Sequence, residues 1–264
     1  MTRRRLDQEL VRRGLVGSRT EARAVVEAGL VTVGGNPATK PASLVDPGDP
    51  LAIGSGIRPF VSRGGDKLQA ALGRFEVDPE ARLCLDAGSS TGGFTDVLLR
   101  HGAARVAAVD VGYGQLAWTL RQDPRVELHE RTNVRGLMPG DLSFVPDLVV
   151  GDLSFISLRL VLPALVRVAS SRAEFVLLVK PQFEAGRADV GRGGVVRDPS
   201  VWRRVLEETV EACRAHGVDV LGVMASPLPG PAGNVEFLLH GRRSDRRSTV
   251  ALDTALAEAE ALGR

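Results

Sequence analysis

Four charged side chains lie beside segments that the sequence predicts as strands, and their types suit acid–base chemistry. In the long C-terminal part of the chain, Lys67 precedes the first predicted strand, Asp152 follows the fourth, Lys180 closes the fifth and Glu236 lies in the last. Of the 34 basic residues only three are lysine, and Lys40 is the third. A buried lysine can lose its proton, whereas a guanidinium stays charged. Lysine at two of these positions therefore indicates a specific use.

A glycine-rich turn with an acidic residue on each side follows the first of these strands. From Gly88 to Gly93 the spacing is G-x-x-x-G-G, which differs from the pyrophosphate-binding pattern G-x-G-x-x-G. Asp86, before the turn, suits a cationic amino group, and Asp110, after the second strand, suits the hydroxyls of a ribose. This arrangement predicts S-adenosylmethionine (SAM) as the ligand; a nicotinamide cofactor and a purely structural turn are the alternatives. The predicted cofactor contacts are Asp86, Gly88, Ser89, Ser90, Thr91, Gly92, Gly93, Phe94, Asp110, Val111, Asn133 and Asp152.

With a methyl donor at the turn, the four charged residues are suited to methylating a ribose hydroxyl. That acceptor must be held in line with the methyl group and must lose a proton during transfer. Two lysines close together lower each other's pKa, so that one of them could accept the proton. The alternative is that the four residues form two structural ion pairs.

The sequence lacks the residues that other methylation reactions require. Methylation of cytosine C5 needs a cysteine nucleophile, but Cys84 and Cys213 lie in a predicted buried strand and a predicted helix. Methylation of an exocyclic amine uses Asn/Asp-Pro-Pro-aromatic, whereas this chain has Asp152-Leu-Ser-Phe155. We predict no metal site, because two cysteines and four scattered histidines supply no ligand cluster.

The elements that position these residues alternate between strand and helix from residue 82 to residue 240. This alternation predicts an α/β fold: a Rossmann-like, doubly wound and mostly parallel sheet, as in class I SAM-dependent methyltransferases. The loop at residues 226–233 is too short for a crossover helix, so the last strand should be antiparallel. Helices are predicted at Thr91–His101, Gln115–Gln122 and Ser248–Leu262.

The N-terminal segment predicts a separate, small α+β unit that binds nucleic acid. Seven arginines between residues 3 and 23 face three acidic residues, and Ser18 and Glu21 form a capping box for a helix. A solvated helix face is the alternative. We assign residues 1–57 to this RNA-binding domain, 58–61 to a linker and 62–264 to the methyltransferase domain. The predicted RNA contacts are Arg3, Arg4, Arg5, Arg12, Arg13, Arg19, Arg23, Lys40 and Arg63.

Composition excludes several other classes of protein. The 264 residues are 44% hydrophobic and 25% charged, as in ordinary globular proteins. The sequence has no apolar run of about 18 residues, as a membrane helix requires, and its N-terminus lacks the apolar core of a signal peptide. We therefore expect a cytoplasmic protein without a membrane partner, which we take to be a monomer without an obligate protein partner.

Several motifs carry a resemblance to known families. Residues 5–41 resemble an S4 RNA-binding domain, and the Lys–Asp–Lys–Glu set resembles that of FtsJ-like ribose 2′-O-methyltransferases. The two domains together resemble the hemolysin A (TlyA) family of ribosomal RNA methyltransferases. The motifs are Val61-Ser-Arg-Gly, Asp86-Ala-Gly-Ser-Ser-Thr-Gly-Gly-Phe-Thr, Asp110-Val-Gly-Tyr-Gly-Gln-Leu, Asp152-Leu-Ser-Phe-Ile-Ser, Val179-Lys-Pro-Gln-Phe-Glu, Pro229-Gly-Pro and Gly233-Asn-Val-Glu.

The resemblance implies a catalytic set of Lys67, Asp152, Lys180 and Glu236. In this scheme Lys180 orients or deprotonates the 2′-hydroxyl and Asp152 holds its amine, while Lys67 and Glu236 position the ribose and balance charge. The implied reaction is SAM-dependent 2′-O-methylation of cytidine in 16S and 23S ribosomal RNA within ribosomal particles, which the family links to sensitivity to capreomycin-type antibiotics. The N-terminal arginines and the C-terminal helix favour the form that acts on both subunits.

Two rival classes and one departure from the family accompany this prediction. A non-catalytic ribosome-binding or assembly factor could keep the same fold, and a membrane-lytic protein is the class that the name hemolysin records. At the linker the family has Arg-Ala-Trp-Val, whereas this chain has Arg58-Pro-Phe-Val61. Pro59 fixes one backbone angle and so limits any rearrangement of the linker.

Overall fold

The computed structural model describes residues 3–27, 29–53, 60–230 and 232–262. Its contacts divide the chain into two compact units, Met1–Ser62 and Arg63–Arg264, which we describe separately. Arg58 and Pro59 of the predicted linker lie outside the described residues.

The first unit packs two short helices against small antiparallel ladders. Strand β2 pairs with β3 on one side and with β5 on the other, and β1 pairs with β4. Its core contains Leu6 and Leu10 of the first helix and Ala22 and Val26 of the second, all with no exposed surface. The elements are β1 (Arg4–Arg5), α1 (Leu6–Arg12), α2 (Arg19–Glu27), β2 (Val31–Val33), β3 (Asn36–Pro37), β4 (Leu44–Val45) and β5 (Leu51–Ile53).

The start of α2 shows one bond of the predicted capping box and a shifted form of the other. The Ser18 hydroxyl accepts a hydrogen bond from the Glu21 backbone N–H at 3.1 Å. The Glu21 carboxylate reaches back to the N–H of Gly17 at 2.8 Å, one residue earlier than in the usual capping box. These bonds fix the residue at which the second helix begins.

The second unit contains a seven-stranded sheet in the order β11-β12-β10-β9-β6-β7-β8. Strands β6 to β10 are parallel to one another, and β12 is antiparallel to both of its neighbours. The predicted fold class and the antiparallel last strand are therefore confirmed. The elements are α3 (Arg63–Phe75), β6 (Leu83–Ala87), α4 (Gly93–Arg100), β7 (Arg105–Val109), α5 (Trp118–Arg121), β8 (Val126–His129), β9 (Leu148–Gly151), α6 (Leu158–Val168), β10 (Glu174–Val179), α7 (Pro181–Glu184), α8 (Pro199–Ala215), β11 (Val218–Ala225), β12 (Phe237–Arg243) and α9 (Asp253–Leu262).

Several elements differ from the sequence prediction. Helix α3 was not predicted, and α4 begins only at Gly93 because Gly92 has a left-handed backbone with φ of 98°. Strand β12 begins at Phe237, so Glu236 precedes the strand instead of lying in it. Helix α9 begins five residues after the predicted Ser248, because Ser248 is held outside the helix by bonds to Asp219. Within the described ranges, no helix has the length and apolar character needed to cross a membrane.

Candidate active site

The predicted Lys–Asp–Lys–Glu set forms two close ion pairs. The Lys180 ammonium lies 2.5 Å from an Asp152 carboxylate oxygen and donates a hydrogen bond to the Ser154 hydroxyl at 2.9 Å. The Lys67 ammonium lies 2.5 Å from a Glu236 carboxylate oxygen. The Lys67 and Glu236 side chains are 8% and 1% exposed, whereas Asp152 is 23% exposed. The second pair is thus buried, and the first is more open to an incoming ligand.

The register of the sheet brings the two pairs to one edge. Asp152 directly follows β9, and Lys180 directly follows the parallel strand β10. The last paired residues of β10 and β12 are Val179 and Phe237. Lys180, which follows Val179, and Glu236, which precedes Phe237, therefore lie next to each other beyond the end of this antiparallel ladder. The carboxyl end of a parallel sheet is also where ligands bind in folds of this kind.

Helix α3 supplies the fourth member of the set. Lys67 lies in its second turn and points into the unit, where Leu68 and Ala71 have no exposed surface. The signal was present in the sequence, because Leu68, Ala71, Leu72 and Phe75 recur at helical spacing. The glycines near the start of the segment hid it.

The loop before Glu236 is shaped around the carboxylate of that residue. A Cβ atom added at Gly230 would lie 2.5 Å from a Glu236 carboxylate oxygen, so that a side chain there would have to displace the carboxylate. The predicted RNA contact Arg63 donates a hydrogen bond to the Pro229 carbonyl of the same loop at 3.1 Å. Arg63 thus lies close to the Lys67–Glu236 pair, within the second unit.

Three further residues that the sequence analysis did not single out hold this edge together. Ser154 contacts Lys180, and its signal was its place in the motif that begins with Asp152. The buried Glu184 carboxylate accepts bonds from the Leu158 N–H at 2.5 Å and the Ser157 hydroxyl at 2.6 Å, at the start of α6. Asn234 binds the Val196 N–H and the Gly194 carbonyl through its amide group. These bonds tie the loops that follow β9 and β10 to the strand ends.

The glycine-rich turn passes close to Asp152. Gly88 has φ of 86°, and a Cβ added there would lie 2.6 Å from the Asp152 carbonyl oxygen. A side chain at this position would therefore clash with backbone and strain the turn. Asp86 precedes the turn and has no exposed surface; the Thr95 hydroxyl donates to its Oδ2 at 2.6 Å. Burial raises the pKa of Asp86 to about 7.

Asp110 organises the opposite side of the turn. Its two carboxylate oxygens accept hydrogen bonds from the Ser90 N–H at 2.8 Å and the Gly112 N–H at 2.6 Å. Val111 is exposed, and the exposed Asn133 caps a short 3-10 turn through its side-chain oxygen. Phe94 is buried, which leaves its backbone at the start of α4 as the part nearest a ligand.

The turn has the vacant hydrogen-bonding capacity that SAM requires. Among the described residues, Asp86 Oδ1 and the Ser89 hydroxyl are buried without a hydrogen-bond partner. Buried polar atoms are rarely left without one, so these two atoms are suited to bind a ligand. The Gly88 cradle and the Asp110 carboxylate complete a donor and acceptor set that fits the amino, carboxylate and ribose groups of SAM.

Cysteine chemistry does not account for the site. Cys84 and Cys213 are both buried and free, and burial raises the pKa of each thiol to about 12. A thiol with such a pKa is not a nucleophile near neutral pH. No group of three metal-ligating side chains occurs in the part of the chain that the structure describes.

The predicted RNA contacts in the first unit are mostly engaged in ion pairs. Arg3 pairs with Asp46, while the other six arginines there surround two carboxylates, those of Asp7 and Glu9. Lys40 is exposed and forms no ion pair with a described residue. The sequence therefore predicted a cluster of arginines in this unit, but it did not predict that they are arranged around Asp7 and Glu9.

Fold and site together define a SAM-dependent methyltransferase that carries a second, arginine-rich unit. Comparison with known families agrees: residues 60–243 match the FtsJ-like methyltransferases and residues 4–51 match the S4 domain. The chain belongs to the hemolysin A (TlyA) family of FtsJ-like methyltransferases, and its cofactor is SAM.

Similar proteins cover almost the whole chain. The 16S/23S rRNA (cytidine-2′-O)-methyltransferase TlyA of Mycobacterium tuberculosis is 53% identical over 94% of this chain and 93% of that protein. Hemolysin A of Brachyspira hyodysenteriae is 37% identical over 89% of this chain and 98% of that protein. The solved structure of a candidate hemolysin from Streptococcus thermophilus is 40% identical, with a TM-score of 0.78, and covers 99% of this chain and 96% of that one.

Proposed function

We propose that this enzyme transfers a methyl group from SAM to the ribose 2′-oxygen of cytidine in 16S and 23S ribosomal RNA. The observation that carries the proposal is the Lys180–Asp152 contact of 2.5 Å beside the glycine-rich turn. The contact sets the Lys180 amine beside the Asp152 side chain, and the backbone carbonyl of the same aspartate approaches the cofactor turn at Gly88. The M. tuberculosis relative, a 16S/23S rRNA (cytidine-2′-O)-methyltransferase, supports the choice of cytidine and of both RNAs.

Bound SAM supplies an electrophilic methyl group on a sulfonium centre. Asp86, Ser89 and Asp110, with the backbone at Gly88, would hold it at the end of β6. The acceptor 2′-hydroxyl must lose its proton as the new C–O bond forms. In our proposal Lys180 orients this hydroxyl or takes its proton, and Asp152 and Ser154 hold the Lys180 amine at the required position.

The second ion pair acts on the ribose in this proposal. Lys67 and Glu236 position the sugar and balance each other's charge. Their burial supports this role, because a closely paired buried group keeps its geometry when the substrate binds. Correct alignment of two bound reactants can contribute a large part of a rate enhancement.

The test is transfer of labelled methyl from SAM to 30S subunits, 50S subunits, 70S particles, free rRNA and DNA. The matched variant is Lys180→Ala, with SAM binding measured by calorimetry on both proteins. We expect label as 2′-O-methylcytidine in RNA of both subunits, and at least about 100-fold slower labelling with the variant. Label in 23S rRNA alone would restrict the substrate to the large subunit.

Other results would overturn the proposal. No label on any RNA, together with measurable RNA binding, would favour a ribosome-binding factor instead of an enzyme with this substrate. Label on a base, or on DNA, would contradict the assigned acceptor. A liposome leakage assay on the same preparation checks the membrane-lytic class, for which we expect no release.

We further propose that the enzyme acts in the cytoplasm as a monomer. The ribosomal substrate supports the location, and the complete Lys–Asp–Lys–Glu set within one chain supports the monomer. Light scattering after gel filtration, in the presence and absence of SAM, tests the oligomeric state. A stable dimer that alone carries activity would contradict it.

A further inference from the structure

Asp7 is a carboxylate at the centre of three arginines in the first unit. Its side chain has no exposed surface, while those of Arg5, Arg19 and Arg23 are 37%, 53% and 56% exposed. Arg5 donates two hydrogen bonds of 3.0 Å, one from Nε and one from NH2, to the two Asp7 oxygens. Arg19 donates from NH2 at 3.1 Å, and Arg23 Nε lies 3.7 Å away.

In this geometry the guanidinium N–H groups that do not face Asp7 can donate hydrogen bonds to another anion. A guanidinium offers donors along its Nε–NH2 side and also at its NH1–NH2 end. Asp7 occupies the side of Arg5, and no described residue accepts from its NH1 end. Three positive charges surround one negative charge, so the group keeps a positive surplus at the surface. The hydrogen bond from Arg5 holds the pKa of Asp7 at about 2, and the carboxylate is therefore ionised.

Glu9 gathers the remaining arginines in a different way. Arg12 and Arg13 pair with its carboxylate at 2.5 and 2.9 Å, and Arg4 lies at 3.6 Å. Arg13 also donates to the carbonyls of Pro47 and Asp49, and only 22% of its side chain is exposed. The Glu9 group thus fastens α1 to the loop before β5. Of the two groups, that of Asp7 has the more exposed donors.

We propose that Asp7 is a positioning residue that holds Arg5, Arg19 and Arg23 as a preformed site for an RNA phosphodiester. The inference deepens the proposed function and rests on its assignment of rRNA as the substrate. Long arginine side chains lose rotamer freedom when they bind, and a buried carboxylate that fixes them beforehand reduces that cost. The bound ligand would take the guanidinium ends that Asp7 leaves open.

The variant Asp7→Asn distinguishes a positioning role of Asp7 from a simple effect of net charge on RNA binding. If charge alone governed binding, Asp7→Asn would tighten RNA binding because it makes the unit more positive. Positioning predicts the opposite: binding to 50S subunits about 3- to 10-fold weaker, with a salt dependence shallower by about one unit per lost phosphate contact. The matched control is Glu27→Gln, which removes the same charge from an exposed residue of α2 without an ion pair in the described structure.

The measurement is a titration of labelled 50S subunits with the full chain at several salt concentrations. We expect weaker binding for Asp7→Asn and no loss for Glu27→Gln. Equal or tighter binding by Asp7→Asn would overturn the inference and leave the proposed function standing. A wild-type chain that binds no ribosomal RNA at any salt would overturn both.

A second variant covers the case in which Asp7→Asn unfolds the first unit, as judged by circular dichroism. Arg5→Lys keeps the charge and can still pair with Asp7, but it cannot present a second, outward donor edge. We expect weaker 50S binding with the fold intact and with SAM affinity unchanged. Wild-type affinity in a folded Arg5→Lys protein would refute the proposed site.

Discussion

Lys180 and Glu236 are the residues that lie immediately beyond the last paired positions of β10 and β12, Val179 and Phe237. Each has its own buried or half-buried partner, Asp152 for Lys180 and Lys67 for Glu236. The antiparallel strand β12 therefore does more than close the sheet. It carries an acidic residue to the edge where the parallel strands end, and α3 supplies the lysine that neutralises it.

The first prediction concerns the amine of Lys180. Lys180→Ala should lower methyl transfer by about 10²- to 10⁴-fold, the range expected when a group that accepts or orients the transferred proton is removed. SAM affinity should stay within about twofold, because the residues proposed to hold SAM lie in β6 or directly after β6 and β7, away from Lys180 in the sequence. Single-turnover transfer and calorimetry on the same protein measure the two effects. Turnover close to wild type would exclude Lys180 from the reaction.

The buried pair Lys67–Glu236 predicts an unusual pattern of stabilities. Lys67→Met leaves the Glu236 carboxylate buried without its counter-ion, which should lower the free energy of unfolding by about 3–5 kcal/mol. The double variant Lys67→Met/Glu236→Gln removes both charges and should recover much of that loss. Neither variant should methylate RNA.

Denaturant unfolding of the three proteins checks this coupling. A matched exposed pair is Arg203–Asp253, where Arg203→Met should cost at most about 1 kcal/mol. A double variant that is less stable than Lys67→Met would contradict the coupling. A double variant that recovers both stability and turnover would show that the pair is only structural.

The predicted catalytic residues Asp152 and Lys180 could be placed in the fold from the sequence because both directly follow strands. Strand ends are recognisable from short apolar runs, and in a parallel sheet they meet at one edge, so the sequence alone predicts that these two residues lie close together. The antiparallel β12 was predictable for a similar reason, the short loop before it. The helix that carries Lys67 was not predicted, because the glycines in its first turn are typical of a loop.

The sequence did not predict which residues far apart along the chain form ion pairs or hydrogen bonds with each other. Counting charges placed seven arginines near three acids, but Arg19 and Arg23 meet Asp7 only because α2 packs beside α1. Glu184 and Asn234 lie in motifs of the family resemblance, but their partners at the start of α6 and in the loop after α7 are set by tertiary folding. Periodicity predicts which face is buried, but it does not predict which hydrogen bonds form there.

The turn at Gly88 predicts a strong effect of one methyl group. Gly88→Ala adds a Cβ that would lie 2.6 Å from the Asp152 carbonyl, at a residue with φ of 86°. We expect lower stability by about 1–3 kcal/mol, as for a strained backbone, and loss of SAM binding. The control Gly73→Ala in α3 meets nothing within 4 Å and should be neutral or stabilising by about 0.5–1 kcal/mol.

Thermal unfolding and SAM titration by calorimetry distinguish the two glycine variants. Equal behaviour of Gly88→Ala and Gly73→Ala would show that the turn can relax around a side chain. In that case the close approach of Gly88 to Asp152 would not be required for cofactor binding.

The last prediction follows from the buried carboxyl of Asp86, whose pKa is raised to about 7. Since an unfolded aspartate titrates near pH 4, the folded protein holds a proton between about pH 4 and pH 7 that the unfolded chain has released. The contribution of Asp86 to stability is therefore fully present below about pH 4 and is lost as the pH rises to about 7. Asp86→Asn should remove this part of the pH dependence and should be the more stable protein above pH 7.

Binding of SAM should also change the protonation of Asp86. If the amino group of SAM binds beside Asp86, it favours the ionised carboxylate, so that binding near pH 6 should release a proton. Calorimetric titrations in two buffers of different ionisation enthalpy count that proton. Asp86→Asn should bind SAM more weakly and without this release. Proton release of equal size in wild type and variant would assign the proton to another group and would remove Asp86 from the amino-group site.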